Sequence, residues 1–318
     1  MPRSSTGQNS TPLEKVGKAP AEATRCGHVA LIGAPNAGKS TLLNRLVGRK
    51  LAIVTPKPQT TRTRLLGITI EGVAQIIYID TPGIFAPRRR LDRAMVAAAW
   101  SGAEDADQTV LLVDAARGVD RDTRRILDRL AERGCESILA LNKIDLVRRD
   151  GLLALADMLS REGKFDPVFM ISGRTGDGVG DLKRHLASAV PQGPWLFPED
   201  QLSDMAERVI AAEVTREQLF LQLREELPYG STVETERWDD RKHDSVRIEQ
   251  VIFVQRPSQR AIVLGEGGQR IKAIGARARV ELERMLDRRV HLFLFVKVRE
   301  NWVEDRERYA ALGLDYDI

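Results

Sequence analysis

The segment Gly33-Ala34-Pro35-Asn36-Ala37-Gly38-Lys39-Ser40 constrains this chain more than any other. It follows a short apolar run at 29–32 and opens a helical stretch at 39–47. A glycine-rich turn between a strand and a helix lets successive backbone N–H groups converge on phosphate oxygens. In that setting Lys39 is placed to reach the β- and γ-phosphates of a nucleotide. The Ser40 hydroxyl is placed to ligate Mg²⁺, with Thr41 beside it at the helix start.

At 318 residues the chain has room for two domains of roughly 100–200 residues each. Its longest apolar runs, at 109–116 and 290–298, fall well short of the ~18 residues of a membrane span. Two cysteines, Cys26 and Cys135, make neither a disulfide framework nor a metal-ligand spacing, so a reducing cytoplasm is the simplest setting. Residues 1–26 are rich in Ser, Thr, Pro, Ala and Gly without apolar periodicity, and they read as a disordered tail. From His28 onward short apolar runs (29–32, 75–79, 109–113, 137–141, 168–171) alternate with helix-like segments (39–47, 122–133, 152–161). That alternation predicts an α/β domain at 27–190, a mostly parallel sheet with helices on both faces. Three prolines within 191–200 mark a linker, and 201–318 forms a smaller α+β domain. There the pattern reads as a long helix over 202–227 and strands at 231–238 and 247–255. A third strand-like run at 261–264, helices and a last strand at 290–298 follow.

Two further elements follow the phosphate loop in order. Asp80-Thr81-Pro82-Gly83 ends the run at 75–79, where a carboxylate can hold the metal and the Gly83 amide can meet a γ-phosphate. Asn142-Lys143-Ile144-Asp145 ends the run at 137–141. The Asp145 carboxylate can accept from both N1–H and the exocyclic amine of guanine. Adenine offers neither pairing and would leave a buried charge unpaired, which favours GTP by several kcal/mol. Ser172-Gly173-Arg174 stands where a fifth element would touch the base.

With Gln59-Thr60-Thr61-Arg62 and Gly193-Pro194-Trp195, these motifs resemble those of the bacterial Era family of translation-factor-class GTPases. The resemblance covers about residues 27–318. It implies that Thr61, or Thr60 if the register differs by one, meets Mg²⁺ and the γ-phosphate, so Lys39, Thr61 and Gly83 form the catalytic set. Ras-like proteins carry a water-orienting glutamine after the equivalent of Gly83. Ile84 stands there instead, and a hydrocarbon cannot orient water, so slow hydrolysis is expected. Asn36 resembles the asparagine that related GTPases use to place K⁺ near the phosphates; a plain loop-stabilising role is the alternative.

Beyond the linker, 256–299 holds 11 basic against four acidic residues, inside a span (201–318) with 20 against 22. This local basic stripe suits a phosphate backbone, or else a solvated helix face. Gly265-Glu266-Gly267-Gly268 and the following Arg270, Ile271, Lys272 and Ile274 have the shape of a KH motif, whose glycine loop approaches nucleic-acid phosphates. A glycine-rich turn joining two ordinary helices is the alternative. The helix before the two strands suits the type II order α-β-β-α-α-β. Glu266 is out of character, because a carboxylate repels phosphate. The resemblance implies a monomer that binds the 3′ region of 16S ribosomal RNA and assists 30S subunit maturation. It also implies association with the inner face of the cell membrane, to which Arg88-Arg89-Arg90 would contribute unless it is a solvated loop. Two rivals are a tRNA-modification GTPase with a fused catalytic module and a membrane or cell-division switch.

Overall fold

The structure, a computed structural model, describes residues 23–57, 60–62, 64–224, 227–300 and 305–318. Most of the expected tail, and Gln59, lie outside the described residues.

The first domain is built on a six-stranded sheet. Its strands are β1 (Arg25–Gly33), β2 (Leu65–Glu71), β3 (Ala74–Asp80), β4 (Gln108–Asp114), β5 (Ser137–Asn142) and β6 (Phe165–Met170). Their order in space is β2-β3-β1-β4-β5-β6, with only β2 antiparallel. Helices α1 (Lys39–Val47) and α5 (Val179–Ala189) cover one face, and α2 (Arg90–Glu104), α3 (Arg121–Arg133) and α4 (Arg149–Glu162) cover the other. Strand β1 shows why its sequence reads as an unbroken apolar run. Val29 and Leu31 enter the core under α1 and α5, while Ala30 and Ile32 enter the opposite core. A strand buried on both faces has no polar alternation to display. Strand β2 and helices α2 and α5 do not stand out in the sequence.

Strand β1 starts at Arg25, so Arg25 and Cys26 belong to the sheet rather than to the tail. They run beside the linker: Cys26 N donates to Pro191 O at 3.0 Å and Gly193 N to Thr24 O at 3.0 Å. The linker itself is bolted to β3 through Gln75, a fully buried side chain. Gln75 Oε1 accepts from Leu196 N and Phe197 N at 2.9 and 3.0 Å, and its Nε2 donates to Phe197 O at 2.7 Å. Just beyond, Leu202 and Ser203 bond to the edge strand β2. The long helix read over 202–227 is accordingly shorter.

The second domain runs α6 (Glu207–Gln222), β7 (Ser231–Arg241), β8 (Ser245–Val254), α7 (Pro257–Leu264), α8 (Gln269–Leu286) and β9 (Arg289–Val298), the expected α-β-β-α-α-β order. Its sheet is β7-β8-β9, with β8 and β9 parallel. The run 261–264, read as strand-like, is helical. Pro257 opens the helix, and Gln259 Oε1 accepts from Gln255 N at 2.8 Å and Arg256 N at 3.2 Å. A four-residue apolar run carries no period with which to tell strand from buried helix. A last helix, α9 (Arg306–Ala311), returns to the first domain, where Tyr309 and Leu314 bury against Leu91, Ala94 and Met95 of α2. Arg90, the last of the three consecutive arginines, stacks on Tyr316 at 4.4 Å. Among the described residues no helix is long and apolar enough to cross a membrane.

Gln75→Leu would leave three linker groups without partners. It should lower stability by about 1–3 kcal/mol, read as a fall in the urea midpoint of the first domain. An unchanged midpoint would mean that the linker bonds contribute nothing net.

Candidate functional site

The motifs read from the sequence converge where a mostly parallel sheet places its ligands, beyond the carboxyl ends of the strands. The phosphate loop follows β1, Asp80 ends β3, Asn142 ends β5 and Ser172 follows β6. A cavity of about 430 Å³ lies there, with Asn36, Lys39, Ser40, Thr61, Gly83 and Lys143 in its wall. Helix α1 has no side-chain N-cap, which leaves its first N–H groups to an anion. Gly83 packs against the loop so closely that an added Cβ would stand 3.0 Å from Pro35 Cα. Any larger residue pushes the two phosphate-sensing segments apart.

Lys39 is buried and donates from Nζ to Gly33 O at 3.0 Å and Ala34 O at 3.1 Å. Desolvation lowers its pKa to about 8, against the opposing pull of Asp80. Ser40 Oγ donates to Asp80 Oδ2 at 2.8 Å and lies 2.9 Å from Thr61 Oγ1, which is itself 3.2 Å from Asp80 Oδ2. Burial holds the Asp80 carboxyl above the usual range, against Lys39 and the two hydroxyls. Its Oδ1 is buried without a hydrogen-bond partner. Two hydroxyls around a carboxylate with an orphaned oxygen form a hard-oxygen donor set of the kind Mg²⁺ takes. Of the two candidate threonines, Thr61 is the one that reaches this cluster. Ile84 is buried in the core beneath the loop, and only its backbone faces the site, with N donating to Gly33 O at 3.1 Å.

The base end is held by Asn142. Its Nδ2 donates to Ala37 O at 2.8 Å, and its Oδ1 accepts from Gly173 N at 3.0 Å, joining the phosphate loop to the fifth motif. Asp145 accepts from Ser172 Oγ at 2.6 Å and from Arg174 at 2.5 Å. The Ser172 hydroxyl first, and Arg174 after it, hold its carboxyl below the usual range. The Arg174 guanidinium occupies the carboxylate edge that guanine's N1–H and amine would take. Sequence reading missed two supports. Asp114 Oδ2 accepts from Lys143 Nζ at 2.6 Å, and Arg45 reaches the carbonyls of Gly173 and Arg174. Asp114 had a visible signal, since it ends an apolar run as Asp80 and Asn142 do. Arg45 had none.

At the far end of the second domain, the 265–268 turn joins α7 to α8. Gly267 and Gly268 adopt φ of 56° and 75°, the left-handed region, and no atom stands within 4 Å of a Cβ added at either. The turn's backbone is thus open to a phosphodiester. Glu266 and Lys272 are exposed, and Arg270 Nη1 donates to Ile262 O at 2.7 Å, tying the two helices. Ile271 is half-buried. Ile274 is fully buried in the core with Ile252 and Val263. It has no surface to offer a base, which corrects its assignment as a contact residue. The exposed apolar side chain near the turn is Ile262.

Comparison with known proteins places this geometry in a family. A model described as a 50S ribosome-binding GTPase matches residues 28–143, and a KH-domain model matches residues 226–303. GTPase Era of Bradyrhizobium diazoefficiens is 58% identical over 304 residues, 96% of this chain and 98% of that protein. GTPase Era of Rhizobium meliloti is 56% identical over 306 residues, again 96% and 98%. The chain belongs to the Era GTPase family. It is a GTPase with a P-loop domain and a C-terminal KH domain. Era in complex with MgGDPNP and nucleotides 1506–1542 of 16S ribosomal RNA superposes with a TM-score of 0.86 at 36% identity, over 91% of this chain and 99% of that one. A tyrosine-to-alanine variant of Aquifex aeolicus Era bound to GDP·AlF4⁻ gives 0.85 at 36%, with the same coverage. The tRNA-modification rival gives way, because a KH domain stands where a fused catalytic module would be required.

The desolvated Lys39 makes nucleotide binding proton-linked. Between about pH 8 and 10.5 the free site holds a largely neutral amine, whereas phosphates favour its charged form. At pH 8.5 binding of GDP should take up roughly 0.7 proton, falling to about none at pH 6.5. Calorimetry in buffers of different ionisation enthalpy measures this, and equal heats at pH 8.5 would refute it.

Proposed function

We propose that this chain binds the 3′ region of 16S ribosomal RNA through its KH domain and assists 30S subunit maturation, with GTP binding and hydrolysis timing the interaction. The observation that carries this reading is the open, left-handed glycine turn at 265–268, held in one chain with an assembled GTPase site. The superposable Era in complex with 16S ribosomal RNA supports it. At the RNA end, Gly265, Gly267 and Gly268 would admit a phosphate, while Arg270, Lys272 and the half-buried Ile271 flank it. Glu266, exposed, would turn outward from the strand.

At the nucleotide end, residues 33–41 would wrap the phosphates, Lys39 would bridge β and γ, and Asn142, Lys143, Asp145 and the 172–174 loop would hold guanine. Ser40, Thr61 and Asp80 would place Mg²⁺, which neutralises phosphate charge when bound. GTP would order Thr61 and the 80–83 segment in the state that presents the KH domain to RNA, and hydrolysis would reset it. A monovalent cation fits the same scheme. Asn36, at φ 63°, lines the cavity and donates from Nδ2 to Pro56 O at 3.1 Å, and its side-chain oxygen is the group that would meet the cation. K⁺ there would supply positive charge beside the β- and γ-phosphates, in a site where Ile84 offers no group to orient water. Hydrolysis would otherwise be slow.

Lys39→Ala should abolish nucleotide binding. Gly268→Asp should spare it and weaken binding of a 16S 3′-end oligonucleotide by at least about tenfold. Aspartate is among the few side chains that enter the left-handed region, at a modest cost in strain, and it sets a negative charge against the phosphates there. Loss of both activities in both variants would refute the division of labour. GTP hydrolysis should be faster in K⁺ than in Na⁺, and equal rates would remove the K⁺ role.

A further inference from the structure

Thr61 reaches Ser40 and Asp80 from a segment with no regular structure, so something outside that segment must hold it. A free loop threonine would sample many positions, and placing one hydroxyl among two ligands costs conformational entropy at every backbone dihedral. The contacts of residues 50–62 show where that order comes from. At the loop's start, Lys50 Nζ pairs with Glu217 of α6 at 2.6 Å and with Glu281 of α8 at 3.0 Å. Glu217 also accepts from Val54 N at 2.8 Å. Lys57 donates to the carbonyls of Phe220 and Leu223, at the electronegative end of α6. At the loop's end, Arg62 donates to Ser231 O at 2.9 Å and Tyr229 O at 2.9 Å.

Arg216 stands in the middle of this set. It lies on α6 and is only 2% exposed, with its guanidinium near the Phe220 ring, 5.3 Å from the centroid. Nε donates to Glu213 Oε1 at 2.8 Å, and Nη2 donates both to Glu213 Oε2 and to the backbone carbonyl of Thr60. That carbonyl belongs to the peptide joining Thr60 to Thr61. Its direction therefore fixes the plane from which the Thr61 side chain departs. A guanidinium oriented by a bidentate carboxylate is a rigid donor, unlike an ammonium on a mobile stem.

We propose that Arg216, contributed by the KH domain, is a positioning residue for GTP hydrolysis, holding the Thr60 carbonyl so that the Thr61 hydroxyl stands beside Ser40 and Asp80. This rests on the reading that Thr61 meets the metal and γ-phosphate. The first domain therefore carries every group that touches the nucleotide, while the second carries the group that keeps one of them in place. Burying a guanidinium is costly unless it has partners, and Arg216 keeps Nη1 without one, so packing alone does not account for an arginine at this position.

The test uses the full chain and three variants. Arg216→Met keeps the side chain's length and removes its donors. Arg216→Lys keeps one donor. Glu213→Ala, on a partly exposed side chain, releases the guanidinium from its orienting carboxylate. Arg216→Met should lower kcat between about tenfold and a hundredfold and raise the Mg²⁺ concentration needed for half-maximal hydrolysis. Its affinity for GDP, whose retention does not use Thr61, should stay within about twofold. Arg216→Lys should recover part of kcat, and Glu213→Ala should show a smaller loss with the same Mg²⁺ shift. Wild-type kcat and Mg²⁺ dependence in Arg216→Met that still binds GDP would overturn the proposal. If Arg216→Met fails to fold, unchanged kcat in Glu213→Ala would overturn it. Thr61→Ala separates the two levels: unchanged hydrolysis there refutes the role of Thr61 itself. A loss there with none at Arg216 refutes only the positioning.

Discussion

Asp80 is a carboxylate with no exposure to water, surrounded by the Ser40 and Thr61 hydroxyls, with Lys39 as its nearest opposing charge. An ionised group in such a place is expensive, and it persists only where partners replace its hydration. Here the partners come from two other segments, the helix after the phosphate loop and the irregular segment that carries Thr61, and they meet Asp80 at the end of β3. Each hydroxyl that turns toward Asp80 draws its own segment inward. The cluster proposed to hold Mg²⁺ therefore also assembles the loops around it. Gly83, three residues on, has no room for a side chain against Pro35, so this assembly reaches the phosphate loop without slack.

How much of this could be read from the chain differs by kind of interaction. The convergence of the phosphate loop, Asp80–Gly83 and Asn142–Asp145 was legible because each motif ends an apolar run, and parallel strands carry their ends to one edge of the sheet. Strands β1 and β3–β5 were legible because burial on both faces leaves an apolar run, and the half-buried edge strand β6 because Val168, Phe169 and Met170 stand together. Strand β2 was not, since Gly67, Thr69 and Glu71 interrupt its pattern and its edge is completed by Leu202 and Ser203 from far along the chain. Ile274 had the right type and spacing for a groove residue but proved to be core, because an apolar side chain one turn into α8 serves either purpose. Arg216 had no signal at all. Its decisive contact is with a backbone carbonyl 156 residues away, and a carbonyl has no identity in a sequence.

The contact between α6 and the segment that carries Thr61 is chemically unlike either core and unlike the apolar seat of α9 on α2. Its anchors are Lys50, Lys57, Arg62 and Arg216, and several of their acceptors are main-chain carbonyls. Desolvation and the neighbouring Arg216 push the Arg62 pKa down to about 9, a sign that two guanidinium groups share a dry space. Apolar surfaces of similar size would bind more firmly, but their separation would expose hydrocarbon to water. Arginine, lysine and free carbonyls are well hydrated when released, so an interface made of them has two tolerable states.

That property fits the place where the interface sits. In the proposed cycle, a segment that orders around GTP and relaxes after hydrolysis would need a partner it can leave. Hydrogen bonds to carbonyls are directional, so they hold one register closely while they last. They also vanish together once the segment moves by an ångström or two, because all four cations are carried within thirteen residues of one segment or on the helix facing it. The acceptors that the second domain supplies belong to α6, α8, the turn before β7 and the start of β7, and α6 is built into the same core as α7 and α8. The glycine turn at 265–268 lies between those two helices. Thr61 and the glycine turn proposed to meet RNA are thus joined through one packed layer of the KH domain, and among the described residues the segment Arg216 holds is the irregular element between Asp80 and that layer.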